Sequence, residues 1–197
     1  MLKGISPVLT TTILVGAVLV IGISFMSYAV VLSNTQRVEV YIRSLVTDEA
    51  LNTLIYIEKD IVSDSTVSLY VGIVNILNKD TTYYITTFKT DRYGLQAKVY
   101  KPLTTSMKYF NEGVFTDLNR IIVDSSKAYI VSLSGDYIPL STGTVEVYEY
   151  RYRHTGLVSI TINKELLGSD DYIVVMLLTN VGGDYYELLQ LSYQVKS

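Results

Sequence analysis

The sequence predicts an α+β protein: a long N-terminal hydrophobic α-helix followed by an all-β antiparallel sandwich head. Three observations lead there. Between Lys3 and Arg37 no side chain carries a charge, a run well past the roughly 20 apolar residues that a bilayer core requires. From about residue 50 the hydrophobic period falls from 3.6 to 2, with β-branched and aromatic residues filling the alternating runs. Turn-forming residues then recur between those runs with no helical pattern of comparable length between them, which favours a sandwich over βαβ units.

The apolar heart of the first element is Ile13 to Leu32, rich in Leu, Ile, Val and Ala, with Gly16 and Gly22 interspersed. Such a composition is tolerated in lipid because a helix satisfies every backbone group internally. The run is too long for a cleaved secretory signal, whose apolar core spans about 7–15 residues. A buried core helix and a plain signal anchor are the other readings of its hydropathy. Beyond the apolar heart, Val38, Tyr41, Ile42 and Leu45 fall at i, i+3, i+4 and i+7, the stripe of an amphipathic helix. The helix is therefore expected to run to about residue 46, on the order of 60 Å at about 1.5 Å per residue and about twice a bilayer core. That surplus suits an upper half packed under the head.

In the head, Leu69, Val71 and Ile73 alternate with Tyr70, Gly72 and Val74, and Tyr83, Ile85 and Thr87 alternate with Thr82, Tyr84, Thr86 and Phe88. Val145, Val147, Glu149 and Arg151 oppose Glu146, Tyr148, Tyr150 and Tyr152. Residues Ile173 to Leu178 are apolar on both faces, which marks a central strand buried on both sides, one of them coverable by the N-terminal helix. Turns are read at Asn78-Lys79-Asp80, Asp91-Arg92-Tyr93-Gly94, Ser134-Gly135-Asp136, Ser141-Thr142-Gly143, His154-Thr155-Gly156 and Gly182-Gly183-Asp184. About eight to ten strands result, in an immunoglobulin-like sandwich. Residues 103 to 118, with Met107, Tyr109, Phe110 and Phe115, lack strict alternation and read as a long connection or a short helix. The chain thus divides into residues 1–4, 5–47 and 48–197, the last large enough to bury its own core.

Composition narrows the function. A net charge of −3 supplies no basic field for nucleic acid. With no cysteine, thiolate metal sites, cysteine nucleophiles and disulfides are excluded. His154 stands alone as a histidine, and a zinc or iron site needs more partners. Asp170 and Asp171, with Glu165 nearby, are carboxylates of the kind that hold calcium, but no EF-hand spacing surrounds them and a solvated turn is the simpler reading. No Gly-x-Ser-x-Gly elbow or phosphate-binding glycine loop occurs. No enzymatic activity, cofactor, metal or small-molecule substrate is expected. Tyrosine is abundant, at 18 residues, with clusters at Tyr83-Tyr84, Tyr148-Tyr150-Tyr152 and Tyr185-Tyr186. These suit half-wet strand surfaces, and alternatively subunit contacts or an adhesive face. No Asn-x-Ser/Thr sequon is present.

The opening Met1-Leu2-Lys3-Gly4-Ile5-Ser6-Pro7-Val8 resembles the class III signal sequence of archaeal type IV pilins. In that family a short basic leader ending in Lys-Gly precedes an apolar residue, then Ser-Pro-Val and a long hydrophobic helix. The resemblance covers about the first 30 residues. It implies leader cleavage between Gly4 and Ile5, directed by Lys3, by a prepilin-peptidase-type enzyme. Such a cut keeps the apolar segment, which ordinary signal peptidase discards. Pro7 then sits in the first helical turn, where its missing N–H is harmless. The fifth mature residue is Leu9, not the glutamate of bacterial pilins, which points to the archaeal branch.

The resemblance further implies a homo-oligomeric helical filament, anchored in the membrane before an ATP-driven machine extracts its subunits to the cell surface, with adhesion as its role. The filament-core helix is then built from Val8, Leu9, Ile13, Leu14 and Gly16. It continues through Ala17, Leu19, Val20, Gly22 and Ile23 to Phe25, Tyr28, Val31 and Leu32. The alternative is a monotopic, membrane-anchored envelope-binding protein, stator-like or a minor pilin, that stays in the membrane.

Overall fold

A computed structural model describes residues 7–91, 100–132, 135–140, 143–152, 156–168 and 170–195, with side chains from Thr11 onward. It comprises one long N-terminal helix and a β-rich head, an α+β fold. The leader positions Lys3, Gly4 and Ile5, and His154, lie outside the described residues. The chain forms two compact units, Met1–Ser44 and Leu45–Ser197. Helix α1, Pro7–Leu51, carries across that boundary and ends beyond the expected residue 46.

Thirteen strands are present among the described residues. The five-stranded sheet has the order β1 (Thr53–Val62), β2 (Thr66–Asn75), β11 (Leu157–Asn163), β5 (Thr105–Asn111) and β6 (Val114–Asp117). In the eight-stranded sheet the order is β7 (Asn119–Asp124), β10 (Thr144–Arg151), β3 (Thr82–Thr90), β12 (Tyr172–Val181), β13 (Asp184–Gln194), β8 (Ala128–Val131) and β9 (Tyr137–Pro139), and β4 (Lys101–Pro102) pairs with β3. All pairings are antiparallel except β13 with β8, where Tyr185 and Tyr186 run parallel to Ala128 and Tyr129. The head is therefore mixed, and it has more strands than the seven to nine of an immunoglobulin domain.

Alternation places the core as read. Leu69, Val71 and Ile73 are buried while Val74 on the opposite face is exposed. Gly72 stays buried because the Tyr56 ring of the neighbouring strand lies against it. Ile173 to Leu178 are at most 1% exposed, so β12 is buried on both faces. Covers for both faces come from within the head. Ile173, Val175 and Leu177 share a face with Ile85 and Thr87 in the register of β12 with β3, and Thr87 Oγ1 lies 3.4 Å from Thr105 Oγ1 of the five-stranded sheet. Val174, Met176 and Leu178 join Phe88, Tyr100, Ala128, Leu140 and Val145 in a second cluster on the other face.

Residues 103 to 118 are neither a connection nor a helix. They form the β5–β6 hairpin, turning at Glu112 (φ 49°) and Gly113 (φ 89°). Two successive positive φ values are the primed-turn signature that matches strand twist. Alternation is weak there because β6 is wholly exposed and Met107 alone of β5 is deeply buried.

Tyrosine fills both half-wet strand surfaces, where Tyr70, Tyr84, Tyr109, Tyr129 and Tyr185 are half-buried, and the core. Tyr83, Tyr100, Tyr148, Tyr150 and Tyr152 are at most 5% exposed. Each such ring adds large buried area, and a hydroxyl at its tip can be satisfied at the boundary between the sheets. Tyr148 donates to the Thr105 carbonyl and Tyr100 to Gln190 Oε1 at 2.9 Å.

Candidate assembly surface

From Thr11 to Tyr41 every side chain of α1 is exposed. Ile13, Leu19, Ile21, Phe25, Met26 and Val31 are all at least 60% exposed, and they lie around the whole circumference of the helix. Monomeric soluble proteins rarely expose contiguous apolar patches beyond a few hundred Å². At about 1.5 Å per residue α1 is about 68 Å long, and it is long and apolar enough to cross a membrane. Two of its hydroxyls are satisfied locally: Ser24 Oγ donates to the Val20 carbonyl at 2.8 Å and Thr35 Oγ1 to that of Val31 at 3.0 Å. Such back-bonding lets hydroxyls enter an apolar medium without an unpaired donor.

Gly16 and Gly22 have nothing within 4 Å of where a Cβ would stand. No contact inside the chain calls for glycine there, although each costs helix stability by about 1 kcal/mol relative to alanine. Close approach of another helix is the physical use of such positions.

The stripe Val38, Tyr41, Ile42 and Leu45 does not pack as expected. Val38, Tyr41 and Leu45 are exposed and Ile42 is half-buried. Among the described side chains of α1, deep burial is found only at Val46, 2% exposed, in the part that belongs to the head. Charge returns in the same stretch, with Arg43 Nη2 3.2 Å from Glu39 Oε1. Exposed i,i+4 pairs of this kind contribute about 0.3–0.5 kcal/mol.

The last turn of α1 is built into the head by a polar cluster that sequence patterning does not reveal. Tyr83 Oη on β3 donates to Glu49 Oε1 at 2.8 Å, accepts from Asn75 Nδ2 at 2.8 Å and lies 2.9 Å from Thr53 Oγ1. Asn75 Nδ2 also lies 3.0 Å from Glu49 Oε1, and Thr53 Oγ1 donates to the Glu49 carbonyl at 2.8 Å. Thr53, Asn75 and Tyr83 are at most 3% exposed. Burial, the largest influence, pushes the Tyr83 phenol up to about 12; the Glu49 carboxylate adds to this, against the opposing bonds from Thr53 and Asn75. Asn75 and Thr53 face each other in the β1–β2 register, a pairing that only the tertiary hairpin creates.

Elsewhere, Asp171 Oδ2 accepts from the Gly168 amide at 2.8 Å and lies 3.6 Å from Lys89 Nζ. The Glu165 amide donates to Asn163 Oδ1 at 3.0 Å, capping a short 3-10 turn. Of the carboxylates read as possible calcium ligands, that of Asp171 thus closes a turn, while Glu165 enters the cap through its backbone amide. Among the described residues no group of three or more His, Cys, Asp or Glu is placed to hold a metal.

No protein-family model, curated protein or solved structure matches the chain. Its class is therefore defined by its architecture: a β-rich head carried on one helix apolar enough to span a bilayer.

Proposed function

We propose that the chain is a structural subunit of an archaeal type IV pilus-like filament, with helices packed in the core and heads on the outside, serving adhesion at the cell surface. One observation carries the reading: over some twenty residues α1 is apolar and exposed on all sides, with glycines that no contact within the chain explains. Before assembly that surface is matched to lipid. In a filament it is matched to copies of itself, lipid contacts being exchanged for close van der Waals packing with Gly16, Ala17 and Gly22 at the near approaches. A helical operator that does not close yields a fibre. The Lys3-Gly4-Ile5 start supports processing by a prepilin-peptidase-type enzyme, which retains this helix.

The test is the intact mass and N-terminal residue of the protein sheared from native cells. A chain starting at Ile5 in the fibre fraction is expected. A chain starting at Met1 and recovered only from detergent-extracted membranes overturns the reading in favour of an anchored envelope-binding protein.

A further inference from the structure

The face of the five-stranded sheet opposite buried Leu69, Val71 and Ile73 carries an exposed apolar band. Strand register assembles it. Leu54 lies opposite Val74, Tyr56 opposite Gly72, Gly72 opposite Leu157, and Phe110 opposite Phe115. Tyr70, Ser159, Lys108 and Asp117 form the next row across the same face, since residues two apart along a strand share one surface. Leu54 is 55% exposed and Tyr56 45%, with Val74 and Phe115 also exposed. The Tyr70 and Phe115 rings meet edge-on with centroids 5.9 Å apart, across the strand that presents small Ser159 between them. Lys108 Nζ lies 3.4 Å from Asp117 Oδ1, so the two charges on this face offset each other.

We propose that this band is the docking face for the α1 stripe Val38, Tyr41 and Leu45 of a second copy of the chain. The stripe is apolar and exposed. It follows Arg37, where the uncharged run ends, so the hydrocarbon that suits Ile13–Leu32 does not extend to it. Five strands at about 4.8 Å spacing make the band about 19 Å wide, and Val38–Leu45 is about 11 Å of a helix about 10 Å across. One such segment fits on it. Charge selects the helix over a second head: residues 45–197 carry 13 Lys or Arg against 18 Asp or Glu, whereas Arg37, Glu39 and Arg43 leave residues 37–44 with one net positive charge. Head against head brings like charge together, and helix against head brings opposite charge. The band covers on the order of a few hundred Å², against about 800 Å² per partner in a stable complex. Free heads therefore do not associate through it, while copies already held side by side do. The contact joins two different surfaces, so it propagates from copy to copy without closing. It rests on the filament reading, which supplies that side-by-side arrangement.

The chain has no cysteine, so single-cysteine variants report the contact without background. Full-length chains bearing Tyr41→Cys or Val74→Cys, each with its own epitope tag, are co-expressed in native cells. Sheared fibres are then oxidised and run on non-reducing gels. A mixed dimer of the two variants is expected, and it is lost when Ile122→Cys, an exposed position on the eight-stranded sheet, replaces Val74→Cys. All three positions are exposed, so cysteine there leaves the core intact; Leu45→Cys and Leu54→Cys, also exposed, replace a pair that blocks assembly. Fibres that start at Ile5 and lack the mixed dimer overturn this contact and leave the filament reading standing. Fibres in which Val74→Cys pairs with itself do the same, because a second head then occupies the band. A chain that yields no fibres overturns the filament reading and this contact with it.

Discussion

Tyr83 shows how much one hydroxyl can hold. Its oxygen is shared by Glu49, Asn75 and Thr53, so Tyr83→Phe keeps the ring and leaves buried Asn75 and Thr53 each short of a partner. Losing such bonds costs about 1–3 kcal/mol; the expected result is a lower thermal midpoint with unchanged strand content by circular dichroism, and an unchanged midpoint refutes the cluster's role. Gly156 is constrained differently. A Cβ there would stand 1.7 Å from the Ile73 carbonyl oxygen, a backbone atom, and the Gly156 carbonyl accepts from the Ile73 amide at 2.5 Å. Gly156→Ala must therefore separate β11 from β2 at their shared end. The expected destabilisation is about 1–3 kcal/mol, as for other overpacked sites, measured by urea unfolding against the parent chain. At Gly16, where the same substitution meets open space, helix propensity alone predicts a slight gain in the isolated subunit.

Among the elements, α1 makes a claim that can be tested with one charge. Val20 lies in the uncharged run and is 65% exposed. Lysine near the centre of a spanning helix costs about 2.5–3.5 kcal/mol on insertion scales. Val20→Lys is expected to shift the protein from the carbonate-resistant membrane fraction toward the soluble or aggregated one. Val40→Lys, past Arg37, is expected to leave the fractionation unchanged, and equal effects at both positions would show that α1 is not positioned in a membrane by its uncharged run. The strands teach a complementary lesson. Those with two buried neighbours, such as β2 and β12, show their pattern openly, whereas β6 at a sheet edge has no buried side chain to impose one.

On the scale of the molecule, the tyrosines tie stability to alkaline pH. Tyr83, Tyr100 and Tyr193 are pushed up to about 12, chiefly by burial. For Tyr193 the Asp60 carboxylate, which accepts its hydroxyl at 2.6 Å, adds to the effect. An acid whose folded pKa lies above its unfolded value of about 10 binds its proton more tightly when folded. Its contribution is therefore fully present below about pH 10 and lost as pH rises from there through about 12. Phenolate absorbance is expected to lag behind that of the protein in denaturant over this window, with the lag ending at alkaline unfolding. Coincident titration curves would mean that these hydroxyls are solvated.

Much of this architecture is local and was legible without coordinates. A run free of charge between Lys3 and Arg37 announces a long apolar helix, because such a segment in an apolar medium must pair its backbone groups internally. Alternation at Leu69–Ile73 and the double-faced run Ile173–Leu178 likewise announce strands and their burial, since side chains alternate across a pleated strand whatever it pairs with. Gly135, Gly143 and the Gly182-Gly183 pair take positive φ where turns were read, as residues without a Cβ can. What depends on partners distant in the chain was decided by the tertiary structure alone. That holds for the parallel β8–β13 pairing, the covers of β12, the exposed stripe from Val38 to Leu45 and the hidden tyrosines. It holds equally for the Glu49–Tyr83 cluster, which joins residues 34 positions apart. Composition states which groups need partners; only the packed sheets determine which partners come within hydrogen-bond reach.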